Sequence, residues 1–286
     1  MTRLAVLTPS IAADFELCAD LNRSVLAHSA QTVTHHLVVP NRDVALFDRL
    51  RGPRTVVHRE SDFLPGSFVP VPRTKYTVNV RRPYPPLRGW ILQQIVKLAA
   101  AGRIPADVIV MADSDITFCR PLRDDTFARD GIVRLYREPG GVHEGMPRHV
   151  MWHHAARQLL GLPPAQPPFT DYVSSMLAWD PVTVRAMLAR VTEVTKRPWA
   201  DAIGAHLHFS EWTLYGVFVD EVLGSPANSF ASGDPLCHTY WLETPLDRAG
   251  LGEFLAGIQP QDVAFMVSAK SRTPIELIRA AELAVQ

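Results

Sequence analysis

Two aspartates separated by one serine, Asp113-Ser114-Asp115, stand directly after an apolar run from Val108 to Ala112. An α/β sheet delivers its ligand-binding groups at the carboxyl ends of its strands, so carboxylates placed there reach into a cleft. Once the chain turns, two carboxylates one residue apart can converge on a hard divalent cation, which prefers oxygen ligands. Mn2+ or Mg2+ is the expected ion, because such sites use few protein ligands and leave positions for substrate phosphates. The plainer alternative makes Asp113 a turn cap and leaves Asp115 in water. A second acidic candidate is Glu211, which follows Ser210. That serine suits a helix N-cap, and an acid in the first turn is favoured by the helix dipole. The pairs His35-His36, His153-His154 and His206 with His208 lack an acidic partner at close spacing and read as structural or surface groups.

Composition excludes several other chemistries. The 286 residues carry 29 basic and 29 acidic side chains, a formal net charge of zero. A nucleic-acid binder working through bulk charge would show a basic excess, so no nucleic-acid partner is expected. The three cysteines, Cys18, Cys119 and Cys237, have no CxxC spacing and point to a reduced, cytoplasmic chain. The apolar stretch near the N-terminus is too short for a signal peptide, and no run reaches the roughly 18 apolar residues of a membrane span. A dinucleotide oxidoreductase would need GxGxxG after the first strand and a serine hydrolase would need GxSxG; neither is present.

The elements that must position the acids follow from periodicity. Leu4 to Thr8, His36 to Pro40 and Arg54 to His58 read as strands, with a helix over Ala13 to Ala30 and a short one over Asp43 to Leu50. That alternation implies βαβ units and a mostly parallel sheet with right-handed crossovers. Asp62 to Leu87 is proline-rich and expected to be irregular. Trp90 to Ala101 is an amphipathic helix, and Asp107 to Ala112 a central strand. Further on, Glu138 to Pro147 is expected as a glycine-rich loop, Val150 to Leu160 as a helix and Val173 to Ala178 as a strand. Helices follow from Pro181 and over Glu211 to Val222, and the last begins after Thr273.

The strand ending in Met111-Ala-Asp-Ser-Asp-Ile116 and the helix before it, Gly89 to Leu98, resemble the GT-A class of nucleotide-sugar glycosyltransferases, and most closely a bacterial family of such enzymes. Asp171 to Asp180, Phe209 to Gly216 and Cys237 to Trp241 fit the same family. The resemblance implies a GT-A-like, Rossmann-type α/β sheet flanked by helices, in one domain. Residues 1–120 would bind the nucleotide sugar, 121–245 the acceptor, and 246–286 would form a helical extension. The implied activity is metal-dependent transfer of a sugar from a nucleoside diphosphate sugar to a hydroxyl of a small-molecule or glycan acceptor.

By the same resemblance, Asp113 and Asp115 match the DxD motif that holds the metal, and His238 occupies the place of a third metal ligand. A histidine packed among Tyr240 and Trp241 is the alternative for His238. Inverting transfer needs a carboxylate to deprotonate the acceptor, a role that falls to Glu211 with Asp171 in reserve. The donor would lie over Thr8, Pro9 and Ser10, with Glu60 or Asp62 near its base and Ser114 beside its diphosphate. Arg88 and Lys97 could meet phosphate oxygens, and Gln93 shares a helix face with Lys97. The segment 138–149 is expected either as a lid with glycine hinges or as a surface loop. The rival readings are a sugar nucleotidyltransferase, which would carry a basic, glycine-rich loop after the first strand, and a non-catalytic nucleotide-sugar-binding scaffold.

Overall fold

A computed structural model describes residues 2–72, 74, 76–224 and 229–285. Five strands form the central sheet: β1 (Leu4–Pro9), β2 (Thr34–Val39), β3 (Thr55–Arg59), β4 (Val108–Ala112) and β5 (Met176–Trp179). Their spatial order is β5-β4-β1-β2-β3. β1 pairs in parallel with β2 and β4, and β2 with β3; β5 alone runs antiparallel, against β4. β1 and β4 are buried along their whole length. They read as unbroken apolar runs because both faces are covered. Alternation along the strand decides which cover each side chain meets. Ala5, Leu7, Ile109 and Met111 share one core with the helices Gly89–Ala101 and Pro181–Thr195, while Leu4, Val6, Val108 and Val110 share another with the helix Phe15–His28. The expected mostly parallel α/β sheet flanked by helices is therefore the observed one.

Several local expectations need correction. The segment 62–87 is not irregular: Phe68–Pro70, Thr77–Asn79 and Arg82–Leu87 form a small antiparallel sheet with Thr77–Asn79 in the middle. Its strand prolines lie only on the two outer strands, the positions in a sheet that tolerate proline best. The segment 138–147 is not a free loop either. Glu138–Val142 is a strand paired with Phe169–Asp171, and the helix after it starts at Pro147 rather than Val150. The strand expected over 173–178 is β5, shifted toward the C-terminus. The helix at Glu211 is α-helical to Val217 and continues as a π-helical stretch, Phe218–Gly224.

The last forty residues hold the helices Arg248–Ala256 and Ile275–Val285, and between them a strand, Ala264–Val267. That strand is the middle one of a three-stranded sheet with Cys237–Tyr240 and Ile116–Phe118. Since Ile116 directly follows Asp115, the C-terminal segment buttresses the aspartate pair. Among the described residues no helix is long and apolar enough to cross a membrane.

Candidate active site

Asp113 leaves the end of β4 with its side chain 45% exposed, and one oxygen, Oδ1, lies 2.9 Å from Lys97 Nζ. Lys97 comes from the third turn of the helix Gly89–Ala101 and is itself buried, at 6% exposure. Its ammonium also meets Glu211 Oε1 at 3.3 Å, where Glu211 is 3% exposed, and stands 4.8 Å from the centre of the Trp212 ring. An isolated buried ammonium would lose its charge. Burial does pull the Lys97 pKa down, but Asp113 and Glu211 more than reverse this and hold it at about 12. Burial raises the Glu211 pKa, with Lys97 opposing and Asp113 adding to the rise.

The backbone around Glu211 is tied with equal care. Its N–H donates to Gln94 Oε1 at 2.9 Å, and Gln94 Nε2 donates to the Trp90 carbonyl at 3.4 Å. Ser210 is the expected N-cap, its hydroxyl accepting from the Thr213 N–H at 3.3 Å. A single helix therefore supplies Trp90, Gln94 and Lys97, and the last two of these bind the first residue of the next functional helix. Gln93, expected on this face, is half-buried; its neighbour Gln94 makes the contact instead.

Asp115 turns the other way. Its Oδ2 accepts from the Ala269 N–H at 2.9 Å, which joins the C-terminal strand to the motif. Burial and the nearby Asp113 charge raise its pKa to about 6. Asp14, at the loop after β1, is raised by burial and by Asp113 as well. Three acids thus crowd the carboxyl edge, with Lys97 paired to Asp113 among them, an all-oxygen set that suits a hard cation. Among the described residues no group of three His, Cys, Asp or Glu side chains converges as a ready metal site.

The remaining expected residues are dispersed. Thr8 is fully buried with its hydroxyl 2.9 Å from His35 Nε2, and Ser10 accepts a 2.8 Å bond from Ser114. Pro9 is buried between them, so this loop offers Ile11, Ala12 and Ala13 to solvent rather than the three residues expected. Glu60 and Asp62 follow β3, three strand spacings from β4 or about 14 Å across the sheet. Arg88 is exposed and donates to the Leu207 carbonyl at 3.1 Å. His238 lies in the strand Cys237–Tyr240 on the face opposite its neighbours. Thr239 bonds Ser175 at 2.7 Å, whereas the His238 ring packs 4.4 Å from that of Phe254. The structure does not bring it together with the two aspartates as a metal-holding group.

Asp171 ends the strand Phe169–Asp171. Its Oδ1 accepts from the Val173 N–H at 2.9 Å, and its Oδ2 is 3.6 Å from His149 Nδ1. The sequence held no sign of Asp14, Gln94, Trp212 or His149 as neighbours of these acids. Only their chemical type and the folding of separate elements onto one edge could reveal them.

No curated protein matches the chain. Among solved structures it is similar to an active-site mutant of LgtC, at 12% identity over 96% of this chain and 95% of that one, with a TM-score of 0.48. Residues 5–232 match the model of a family of unknown function, DUF6492.

Proposed function

The chain belongs to the DUF6492 family, and we propose that it transfers a glycosyl group from a nucleoside diphosphate sugar to a hydroxyl of a small-molecule or glycan acceptor. The observation that carries this reading is the aspartate pair at the carboxyl end of β4, crowded by Asp14 and braced by the buried Lys97. It stands where a mostly parallel sheet presents its ligand-binding groups, and it agrees with the DxD resemblance of the sequence.

Asp113 and Asp115 would hold Mn2+ or Mg2+. The fit rests on two oxygen-donor carboxylates whose ionised forms are opposed first by burial and then by each other: these raise the Asp115 pKa to about 6, and a bound cation would relieve both. Two protein carboxylates leave coordination positions for diphosphate oxygens. When bound, the ion supplies neutralisation of the charge that develops on the leaving diphosphate. Lys97 fixes the Asp113 side chain from behind. At 6% exposure it has no open face for a phosphate, so its role is to position Asp113 rather than to grip the donor. Glu211 is the counter-charge that keeps Lys97 buried and ionised. At 3% exposure its carboxylate is covered, and for that reason we assign the base role to another group. During transfer the acceptor oxygen bonds to the anomeric carbon while the bond from that carbon to the diphosphate oxygen breaks. The electron pair leaves with the diphosphate, and the acceptor proton passes to a base.

The test is a thermal-shift series with uridine and guanosine diphosphates and their sugars, each with and without Mn2+. A ligand at a hundredfold excess over its Kd stabilises by about 2.7 kcal/mol, or about 5 °C for a chain of this size. We expect a Mn2+-dependent shift in the wild type that Asp115→Asn abolishes. Absence of a shift with every nucleotide would overturn the assignment.

A further inference from the structure

Glu211 is buried against Lys97, so a glycosyl transfer at this edge needs another group to accept the acceptor proton. We propose that His149 is that base, held in place by Asp171. This rests on the glycosyl-transfer reading above.

His149 lies in the first turn of the helix Pro147–Leu160 and is partly open, at 24% exposure. Its Nδ1 is buried, has no hydrogen-bond partner, and stands 3.6 Å from Asp171 Oδ2. The gap exceeds a hydrogen bond. Catalytic bonds are often long before substrate tightens them. Nε2 makes no hydrogen bond among the described residues and is absent from the buried unsatisfied atoms. An imidazole with one nitrogen turned to a carboxylate and the other free has the arrangement of a general base. The carboxylate is itself fixed by the Val173 N–H, and the imidazole packs on the Trp152 ring with centres 4.5 Å apart.

Two independent paths bound the distance from this pair to the edge where Asp113 emerges. In the β4–β5 ladder Met176 faces Ala112, so Ser175 continues opposite Asp113, and Asp171 precedes Ser175 by four residues. Four residues span at most about 14 Å. From the other side, the Trp152 ring that supports His149 lies 5.7 Å from that of Trp90. Trp90 begins the helix that carries Lys97, seven residues or about 10 Å further along its axis.

The step balances without another reactant. The acceptor O–H proton moves to His149 Nε2 as the oxygen bonds to the anomeric carbon, and the nucleoside diphosphate departs with the electron pair. Asp171 stabilises the imidazolium until the proton returns to solvent.

The experiment measures nucleoside diphosphate release from a panel of uridine and guanosine diphosphate sugars in Mn2+, with water as acceptor. His149→Ala should lower kcat by about 100-fold or more, with KM and the nucleoside diphosphate thermal shift unchanged. Added imidazole should restore at least tenfold of the loss, which a purely structural histidine would not allow. Asp171→Asn, which keeps the imidazole, should lower kcat with unchanged KM and serves if His149→Ala fails to fold. Wild-type turnover with both variants within threefold of it would overturn the base assignment alone. A wild type that binds and turns over no donor would overturn the glycosyl-transfer reading, and the base assignment with it.

Discussion

At the scale of single residues, Lys97 joins the two acidic elements of the site. Its charge is buried, so its value depends on having both Asp113 and Glu211 as partners. Lys97→Met would leave Glu211 buried without a counter-charge, and breaking a buried pair in this way costs about 3–5 kcal/mol. The double variant Lys97→Met with Glu211→Gln removes the orphaned charge and should recover most of that loss. Urea unfolding midpoints of the two variants check this; a single-variant cost below about 1 kcal/mol would contradict the pairing. Each of these residues was visible in the sequence as a candidate, but their partnership was not. Lys97 read as a phosphate ligand and Glu211 as the candidate base because burial belongs to the tertiary structure. A lysine at helical spacing gives no sign of the two carboxylates that surround it.

At the scale of elements, β1, β2 and β3 are bound by a polar network inside an apolar sheet. His35, fully buried on β2, meets Thr8 Oγ1 and Asn22 Oδ1, each at 2.9 Å, and Thr55 also donates to Asn22 Oδ1 at 2.8 Å. Burial, with His36 nearby, lowers the His35 pKa to about 3. Its unfolded value near 6.5 means that the unfolded chain binds more protons throughout the interval between them. The stability from neutral His35 is therefore complete above pH 6.5, falls as pH drops, and is lost on reaching about 3. At pH 5 the penalty is about 2 kcal/mol, and His35→Gln should flatten this part of the stability profile relative to the wild type. An unchanged slope would contradict it. In the helix Glu211–Val217, a methyl at Gly216 would run into the Tyr172 ring. Gly216→Ala should cost about 1–3 kcal/mol by overpacking, although alanine is the better helix former; chemical denaturation measures it, and a gain in stability would contradict the contact.

The elements that periodicity made legible were those long enough to show a rhythm: β1, β4 and the helices Phe15–His28 and Gly89–Ala101. Those it missed are short. Phe68–Pro70, Thr77–Asn79 and Ala264–Val267 run three or four residues, and partners distant in sequence determine their pairing. Prolines hid the strands of the first group, although on outer strands they do no harm.

At the scale of the molecule, zero net charge conceals an edge of the sheet where Asp14 and Asp115 lie near Asp113, which the buried Lys97 holds. The chain reaches that edge from distant elements: the loop after β1, the helix before β4, the helix at Ser210, and a C-terminal segment whose Ala269 N–H holds Asp115. The aspartate pair was legible because it directly ends an apolar strand. Strand alternation turns His238 toward Phe254, a neighbour that no motif records. The central claim is that this edge cleaves the bond between a sugar and a nucleoside diphosphate. Its most direct test is release of nucleoside diphosphate from uridine and guanosine diphosphate sugars by the wild type and by Asp115→Asn, with and without Mn2+. Mn2+-dependent release from at least one donor is expected of the wild type, and none of the folded Asp115→Asn variant. No release from any donor, or release that survives Asp115→Asn unchanged, would contradict it.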